Sequence, residues 1–146
     1  MVTMLDCIKR VPSLLDKIIE NTGTAYNEIF DKFGADSFDE IYIIGSGTSF
    51  TSSSTARYLA EAASGVRVTV ALPNEFLHAY TVRNPKALYV FISQTGTSTV
   101  TMEAIRYVNE QGFMSVAVSE NPDTPIAKEA RAFVNMGCGH HEPCRI

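Results

Sequence analysis

The stretch that decides the fold begins at residue 41 and reads Ile41-Tyr42-Ile43-Ile44-Gly45-Ser46-Gly47-Thr48-Ser49. A short apolar run passes directly into a glycine turn and then into a series of hydroxyl residues. Apolar runs without polar alternation are typical of strands that are buried on both faces of a parallel sheet. The stretch therefore predicts a buried strand, then a turn and a helix.

The same succession of apolar run and helical pattern repeats along the chain. We expect five strands, at Ile41–Ile44, Val66–Ala71, Leu88–Ile92, Met114–Val118 and Phe133–Met136. Helical patterns lie between them, at Ser52–Ala63, Asn74–Thr81, Val100–Gln111 and Pro125–Ala130. Strands that alternate with helices form a parallel sheet through right-handed crossovers, with helices on both faces. The sequence therefore predicts an α/β fold, a three-layer αβα sandwich whose five-stranded parallel sheet has the flavodoxin-like order 2-1-3-4-5.

The first 37 residues carry a helical pattern. Apolar residues recur at spacings of three and four, at Leu5, Ile8, Val11, Leu15, Ile18 and Ile19. Because proline is tolerated in a first helical turn, Pro12 predicts one helix that ends near Arg10 and a second that starts at Pro12. Residues 21–23 predict a stop, and Thr24–Phe33 a further helix before Gly34. We expect residues 1–37 to form a helical leader packed on a domain of residues 38–146, which ends before the last helix that such a domain usually has.

Composition argues against several classes of protein. The 146 residues include 12 basic and 16 acidic side chains, a net charge of −4, with no basic stripe. Nucleic-acid binding, which depends on clustered Lys and Arg, is therefore not expected. No apolar run reaches the length of a membrane span, and Asp6 comes too early for a signal peptide. Three cysteines cannot all pair within one chain, so we expect a cytoplasmic protein with no membrane partner.

Two hydroxyl-rich loops follow the first and third predicted strands. Seven of the eight residues in Thr48–Thr55, and five of the seven in Ser93–Thr99, carry a hydroxyl. Ligands of open parallel sheets bind at the carboxyl ends of the strands where the winding direction reverses, which here lies between strands one and three. Glycine turns, helix N-termini and short hydroxyls together suit an anion such as phosphate. The alternative is that these Ser and Thr residues only cap helices and fill turns.

Nucleotide-binding motifs do not match these loops. Gly45-x-Gly47 begins like a dinucleotide fingerprint, but Phe50 replaces its third glycine. Neither loop contains the Lys of a P-loop, so a triphosphate is not expected. The loops favour a monophosphate held by neutral donors.

The order of these motifs resembles the sugar isomerase (SIS) domain family. The resemblance rests on Ile43–Ser49, on Asn74-Glu75-Phe76 after the second strand and on Ile92–Ser98. It extends in particular to the isomerase half of glutamine–fructose-6-phosphate aminotransferase and to fructosamine-phosphate deglycases. It implies a sugar phosphate or aminosugar phosphate as ligand, a homodimer, no cofactor, and a full-length parent that is an isomerase, aminotransferase or deglycase. The implied chemistry is ring opening and proton transfer between C1 and C2 through an enediol or enamine.

The same resemblance implies which residues bind the ligand: Gly47, Thr48, Ser49, Ser93, Gln94, Thr95, Gly96 and Ser98. Thr95 replaces a family Ser and Ser98 a family Thr, which keeps both hydroxyls, whereas Thr97 replaces a Glu. The family's catalytic groups come largely from a second SIS domain and a neighbouring subunit, and this chain contains no second SIS domain. We therefore expect binding without efficient turnover. The alternative is a non-catalytic sensor module of a sugar-responsive regulator.

Catalytic and metal-binding residues are weakly indicated. The candidates for an acid or base are Glu75, His78, His141 and Glu142, although Glu75 also suits a helix start and His78 a packed or surface position. Zinc-type donors occur near the C-terminus at Cys138, His140, His141 and Cys144. Their spacing does not match the usual paired ligands, so no metal site is expected.

Overall fold

The sheet is the frame on which the rest of the chain is placed. The computed structural model describes residues 3–34, 38–79 and 83–137, and in these residues five strands form one sheet. They are β1 (Glu40–Gly45), β2 (Arg67–Ala71), β3 (Ala87–Ile92), β4 (Met114–Ser119) and β5 (Ala132–Asn135). All neighbours are parallel and the order is β2-β1-β3-β4-β5. The predicted fold class and strand order are confirmed, and each strand end lies within one residue of its expected position.

Helices cover both faces of this sheet. Those described are α1 (Met4–Ala25), α2 (Asn27–Phe33), α3 (Thr48–Ser64), α4 (Pro73–His78), α5 (Thr99–Glu110) and α6 (Pro125–Glu129). On one face α4, α5 and α6 contribute Phe76, Ile105 and Ile126 to the larger core. On the other face Ile29 of α2 packs with Leu88 of β3. Right-handed crossovers that run in opposite directions lie on opposite faces, so α3, which leads from β1 to β2, shares the face of α2.

Burial on both faces explains the near-continuous apolar strands. Along β3, Tyr89 and Phe91 belong to the core under α4 and α5, whereas Leu88 and Val90 belong to the core near α2. Successive strand side chains point to opposite faces, so a strand covered on both sides needs apolar residues at successive positions. This is the pattern by which the strands were predicted.

One continuous helix replaces the two that were predicted at the N-terminus. Pro12 lies inside α1, where it removes one backbone donor without ending the helix, and the Ser13 hydroxyl donates to the Arg10 carbonyl at 3.0 Å. The predicted stop at residues 21–23 is also wrong. Asn21 and Thr22 donate through their side chains to helix carbonyls four residues earlier, at 2.7 and 2.8 Å. Their polar groups are satisfied within the helix, which therefore continues to Ala25.

Local features fix the start of α1 and the end of α2. Asp6 Oδ2 accepts from the Thr3 backbone N–H at 2.9 Å, and Thr3 Oγ1 accepts from the Asp6 N–H at 3.2 Å, a reciprocal cap at the start of α1. Hydrogen bonds from Thr3 also hold the pKa of Asp6 below its usual value. The second helix, α2, begins at Asn27, three residues later than predicted, and ends before Gly34, whose φ is 80°.

Candidate functional site

The two hydroxyl-rich loops start side by side at the carboxyl edge of the sheet. Gly45 at the end of β1 pairs in register with Ile92 at the end of β3. Ser46 and Ser93 therefore leave the sheet at the same level, one strand spacing of about 4.8 Å apart. From β1 the chain crosses to β2, and from β3 it crosses to β4 on the other side. The loops thus flank the point where the winding direction reverses, which is where open parallel sheets bind ligands.

Two glycines shape the first loop. A Cβ on Gly45 would lie 2.9 Å from the Ser49 Cβ and 3.1 Å from the Ile92 carbonyl oxygen, closer than side-chain atoms pack. Gly47, which precedes α3, has φ 57° and ψ −127°, a conformation that favours glycine. The Gly45-x-Gly47 element therefore lets α3 begin close against the end of β3.

The N-terminus of α3 points its first turn toward this edge without a side-chain cap from the described residues. Backbone bonds close the turn, from the Ser49 N–H to the Ser46 carbonyl at 3.2 Å and from the Thr51 N–H to the Gly47 carbonyl at 3.1 Å. The first turn of a helix carries the positive end of the helix dipole. Since no acidic side chain lies in this first turn, that positive end is available to an anion.

The Ser and Thr hydroxyls along α3 fall into two groups. Five of them donate to helix carbonyls three or four residues earlier, at 2.7–3.2 Å: Thr51, Ser53, Ser54, Thr55 and Ser64. The other three have no hydrogen-bond partner among the residues that the structure describes. Of these, Thr48 and Ser49 lie in the first turn, and Ser52 lies one turn further along. Thr48 and Ser49 are therefore the hydroxyls of this helix that are free at the sheet edge.

The second loop closes on itself before α5 begins. The Gly96 N–H donates to the Ser93 carbonyl at 3.1 Å, and the Thr95 and Thr97 hydroxyl oxygens lie 3.0 Å apart. Thr97 is exposed, whereas Ser93, Gln94 and Thr95 are half-buried. These contacts hold the predicted binding residues of this loop in one compact turn.

Ser98 caps α5 and keeps a donor free. Its Oγ accepts from the Thr101 N–H at 3.4 Å and from the Thr101 Oγ1 at 2.9 Å. A hydroxyl has one hydrogen and two lone pairs, so a Ser98 hydroxyl that accepts twice can still donate its hydrogen. Ser98 can therefore cap α5 and still contact a ligand. The sequence had presented these two functions as alternatives.

The loop after β4 supports the second loop through the backbone. The Glu120 N–H donates to the Gln94 carbonyl at 3.0 Å, and the Ile126 N–H donates to the Gly96 carbonyl at 3.1 Å. Both backbone groups of Gly96 consequently have protein partners. Among the predicted binding residues, Gly96 thus shapes the loop and does not offer its backbone polar groups to a ligand.

Thr124 and Ser119 form a buried pair beneath this loop. Gly96 is buried with φ 63°, and a Cβ there would lie 2.4 Å from the Thr124 Cβ. The Thr124 and Ser119 hydroxyl oxygens lie 2.6 Å apart. Thr124 is also the N-cap residue of α6, but its side chain makes no cap hydrogen bond there. Its contact with the second loop could not be read from the sequence, because the predicted strand order gives no distance between the loops after β3 and β4.

The predicted acid–base candidates that can be placed lie on α4, after β2. Glu75 is exposed, and its Oε2 accepts from the Leu72 N–H at 3.5 Å, which supports its helix-start interpretation. His78 is exposed in the last turn of α4. Phe76, between them, is fully buried in the larger core and anchors the helix. Several C-terminal candidates lie outside the described residues: Cys138, His140, His141, Glu142 and Cys144.

The site is uncharged in both loops. Residues 45–55 and 93–99 contain no Asp, Glu, Lys or Arg. An anion bound here is therefore held by hydroxyls, amides and helix dipoles.

Within the described ranges no group of three His, Cys, Asp or Glu side chains could hold a metal ion, and no helix has the length and apolar character that crossing a membrane requires.

A protein family and several curated proteins match this chain in sequence. The SIS domain family model matches residues 37–144. The isomerizing glutamine–fructose-6-phosphate aminotransferase of Tropheryma whipplei strain Twist is 36% identical over 101 residues, which cover 69% of this chain and 16% of that protein. The corresponding protein of Lactococcus lactis subsp. lactis is 27% identical over 140 residues, covering 93% of this chain and 23% of that protein. The chain spans less than a quarter of the length of these curated relatives.

Solved structures share the fold at low sequence identity. A candidate phosphosugar isomerase of Clostridium difficile 630 superposes with a TM-score of 0.86 at 22% identity, over 97% of this chain and 39% of that one. The C-terminal domain of glucosamine-fructose-6-phosphate aminotransferase from Francisella tularensis gives 0.82 at 23% identity, over 94% and 40%. A candidate sugar-phosphate isomerase of Listeria monocytogenes gives 0.66 at 19% identity, over 99% and 79%. These likenesses show the fold.

Proposed function

The chain belongs to the SIS domain family, and from this premise we propose that its two hydroxyl-rich loops bind the phosphate of a sugar phosphate or aminosugar phosphate. The observation that carries the proposal is the register pairing of Gly45 with Ile92, because it starts both loops at one level on neighbouring strands. Matching relatives are named for fructose 6-phosphate, and a structural neighbour is named as a candidate sugar-phosphate isomerase. Both facts support a phosphorylated sugar as ligand.

The proposed phosphate position lies between the first turn of α3 and the second loop. Thr48 and Ser49 donate from one side, since their hydroxyls have no partner among the described residues. Ser93, Gln94, Thr95 and Ser98 complete the set from the other side. Hydrogen bonds to a charged group contribute roughly 1.5–3 kcal/mol each, so several neutral donors suffice for a dianion without a Lys.

In the full-length protein we propose that this anchor serves an isomerase, aminotransferase or deglycase acting on a ketose or aminosugar 6-phosphate. Binding energy from the phosphate orients C1 and C2, while a carboxylate or His moves the proton between them. Glu75 and His78 are the described candidates for that base. Among the described residues neither side chain is hydrogen-bonded to either loop, so we propose that this chain alone binds its ligand without efficient turnover.

A non-catalytic phosphosugar sensor is the second candidate function. It is favoured by the same observation, that neither Glu75 nor His78 is hydrogen-bonded to the two loops among the described residues. An assay of aldose–ketose interconversion and of amine release by the full-length protein separates the two functions, because a sensor gives no turnover. Substantial turnover by residues 1–146 alone would contradict our proposal of binding without catalysis.

Calorimetric titration tests the binding proposal. We expect saturable binding of fructose 6-phosphate or glucosamine 6-phosphate, and no heat of binding with unphosphorylated fructose or glucosamine. Thr48→Ala and Ser93→Ala should each weaken binding about tenfold or more, the equivalent of one hydrogen bond to a charged group. Thr55→Ala is the matched control, because its hydroxyl donates to the Thr51 carbonyl at 3.0 Å, two turns along the same helix.

The binding proposal fails if none of the phosphorylated sugars gives saturable binding. It also fails if Thr48→Ala and Ser93→Ala bind with the affinity of the wild type. Circular dichroism of each variant shows whether the fold is retained.

We further propose that the chain forms a homodimer, as the family resemblance implies. The mass of the wild-type protein in solution tests this part of the proposal independently of ligand binding.

A further inference from the structure

The N-terminal helix α1 exposes most of the large apolar side chains that the described chain leaves uncovered. Seven of them are 39–71% exposed on this one helix: Met4, Leu5, Ile8, Val11, Leu15, Ile18 and Ile19. The other exposed large apolar side chains are scattered over α2, α3 and the turn before α2: Tyr26, Phe30, Tyr58 and Leu59. A contiguous apolar surface of this kind marks an interaction site.

The spacing of these residues indicates that the partner is another helix. Five of them, the α1 seam, follow one another at intervals of four, three, four and three: Met4, Ile8, Val11, Leu15 and Ile18. This is the a/d repeat by which two helices interlock. Leu5 and Ile19 widen the seam on one side, and Leu14, which is half-buried, lies on the other. None of the charged residues of α1 lies in the seam.

The helix dipoles favour an antiparallel arrangement of two copies of α1. An antiparallel pair sets the positive end of each dipole beside the negative end of the other. The charged residues of α1 lie on the helix surface opposite the seam, so they do not oppose one another across it: Asp6, Lys9, Arg10, Asp16, Lys17 and Glu20. An antiparallel pair of identical helices has the two-fold symmetry of most homodimers.

The exposed apolar area is large enough for a stable dimer. From their exposed fractions, the seven side chains present on the order of 700 Å² per copy, close to the roughly 800 Å² per partner of a standard protein interface.

We infer that α1 pairs antiparallel with α1 of a second copy of this chain, with Val11 opposite the second copy's Leu15 and Ile8 opposite its Ile18. The inference rests on the proposed homodimer and assigns its interface. By their spacing Ile8 and Leu15 are a positions, and Met4, Val11 and Ile18 are d positions. In an antiparallel pair each a position lies opposite a d position of the other helix, as it does in this register. It places every seam residue opposite an α1 residue of the second copy.

Light scattering coupled to size-exclusion chromatography tests the interface. We expect the wild type to have about twice the 16.0 kDa mass of one chain at tens of micromolar protein, a concentration at which standard interfaces are occupied. Ile8→Glu combined with Leu15→Glu should give the mass of one chain. Ser13→Glu is the matched control, because Ser13 is exposed on α1 outside the seam, and it should leave the dimer intact.

The outcomes separate the two proposals. A wild-type monomer overturns the homodimer and with it the seam. A dimer that persists in the Ile8→Glu, Leu15→Glu variant overturns the seam alone. Neither result bears on phosphosugar binding, which calorimetry measures separately.

Cysteine cross-linking tests the register in a protein that keeps its seam largely intact. In a background with Cys7, Cys138 and Cys144 changed to Ser, Val11→Cys and Leu15→Cys are mixed and oxidised mildly. Antiparallel pairing predicts a covalent dimer that contains one of each variant. Covalent dimers that form equally within each variant alone show parallel pairing and overturn the inference.

Discussion

Replacing Gly96 by alanine tests whether the second loop packs on Thr124 as the structure shows. Gly96 has φ 63°, and a non-glycine residue in that region costs roughly 1–2 kcal/mol. The added Cβ would also lie 2.4 Å from the Thr124 Cβ. Thr124 is buried and held by Ser119, so it has little room to withdraw, and overpacking of this kind costs about 1–3 kcal/mol. We expect Gly96→Ala to lower the free energy of unfolding by about 2–5 kcal/mol.

Gly112→Ala is the matched control for this substitution. Gly112 also has a positive φ, 76°, but a Cβ there meets nothing within 4 Å. Gly112→Ala should therefore lower the free energy of unfolding only by the backbone cost of roughly 1–2 kcal/mol. Urea denaturation followed by circular dichroism measures both variants. The difference between them isolates the contact with Thr124, and equal losses in the two variants would refute the packing argument.

Gly96→Ala should also weaken phosphosugar binding, whereas Gly112→Ala should not. The added methyl group moves the loop that carries Ser93, Gln94 and Thr95 away from the loop after β4. Gly112 follows α5, at the opposite end of that helix from the second loop. Calorimetric titration of both variants makes this comparison.

Two further predictions concern buried polar groups. Burial raises the pKa of Tyr89, so the folded state holds the phenolic proton more tightly, and the stability of the wild type should fall as the pH rises above about 10. Tyr89→Phe, which loses a 2.8 Å hydrogen bond to the Asn84 carbonyl worth about 1 kcal/mol, should lack this alkaline slope in urea titrations, and an unchanged slope would contradict the assignment. Ser115→Ala should lower the free energy of unfolding by about 1–3 kcal/mol, because the fully buried hydroxyl donates to Asn109 Oδ1 at 2.6 Å and accepts from the Arg131 N–H at 3.0 Å. A loss as small as that of an exposed serine would show that these partners find water instead.

The strands could be predicted because their pattern is local and unambiguous. In β1 and β3 nearly every residue is apolar, as burial on both faces requires. The helices of the leader were harder to predict. Pro12 and residues 21–23 can each either interrupt a helix or lie within one, and local rules do not separate these two outcomes. In the structure the hydrogen bonds of Ser13, Asn21 and Thr22 accommodate these residues within one helix.

The hydroxyls of the candidate site were likewise only partly predictable from the sequence. Thr48 and Thr55 look alike in the sequence, yet the Thr55 hydroxyl donates to its own helix and the Thr48 hydroxyl lies free in the first turn. Helix geometry alone would have separated them had the start of α3 been placed at Thr48, four residues earlier than predicted. The supporting pair of Thr124 and Ser119 carries no comparable signal.

The sequence by itself determined the parallel sheet, its order and the two loops at its edge, because side-chain periodicity and glycine turns are local properties. Only the tertiary structure decided which hydroxyls are left without a partner among the described residues and which residues hold the loops in place. Two of the decisive features join residues far apart in the chain: the register of β1 with β3 and the approach of Thr124 to Gly96. A third, the exposed seam of α1, depends on what the rest of the described chain leaves uncovered. Such relations depend on the distances between packed elements, which no local pattern encodes.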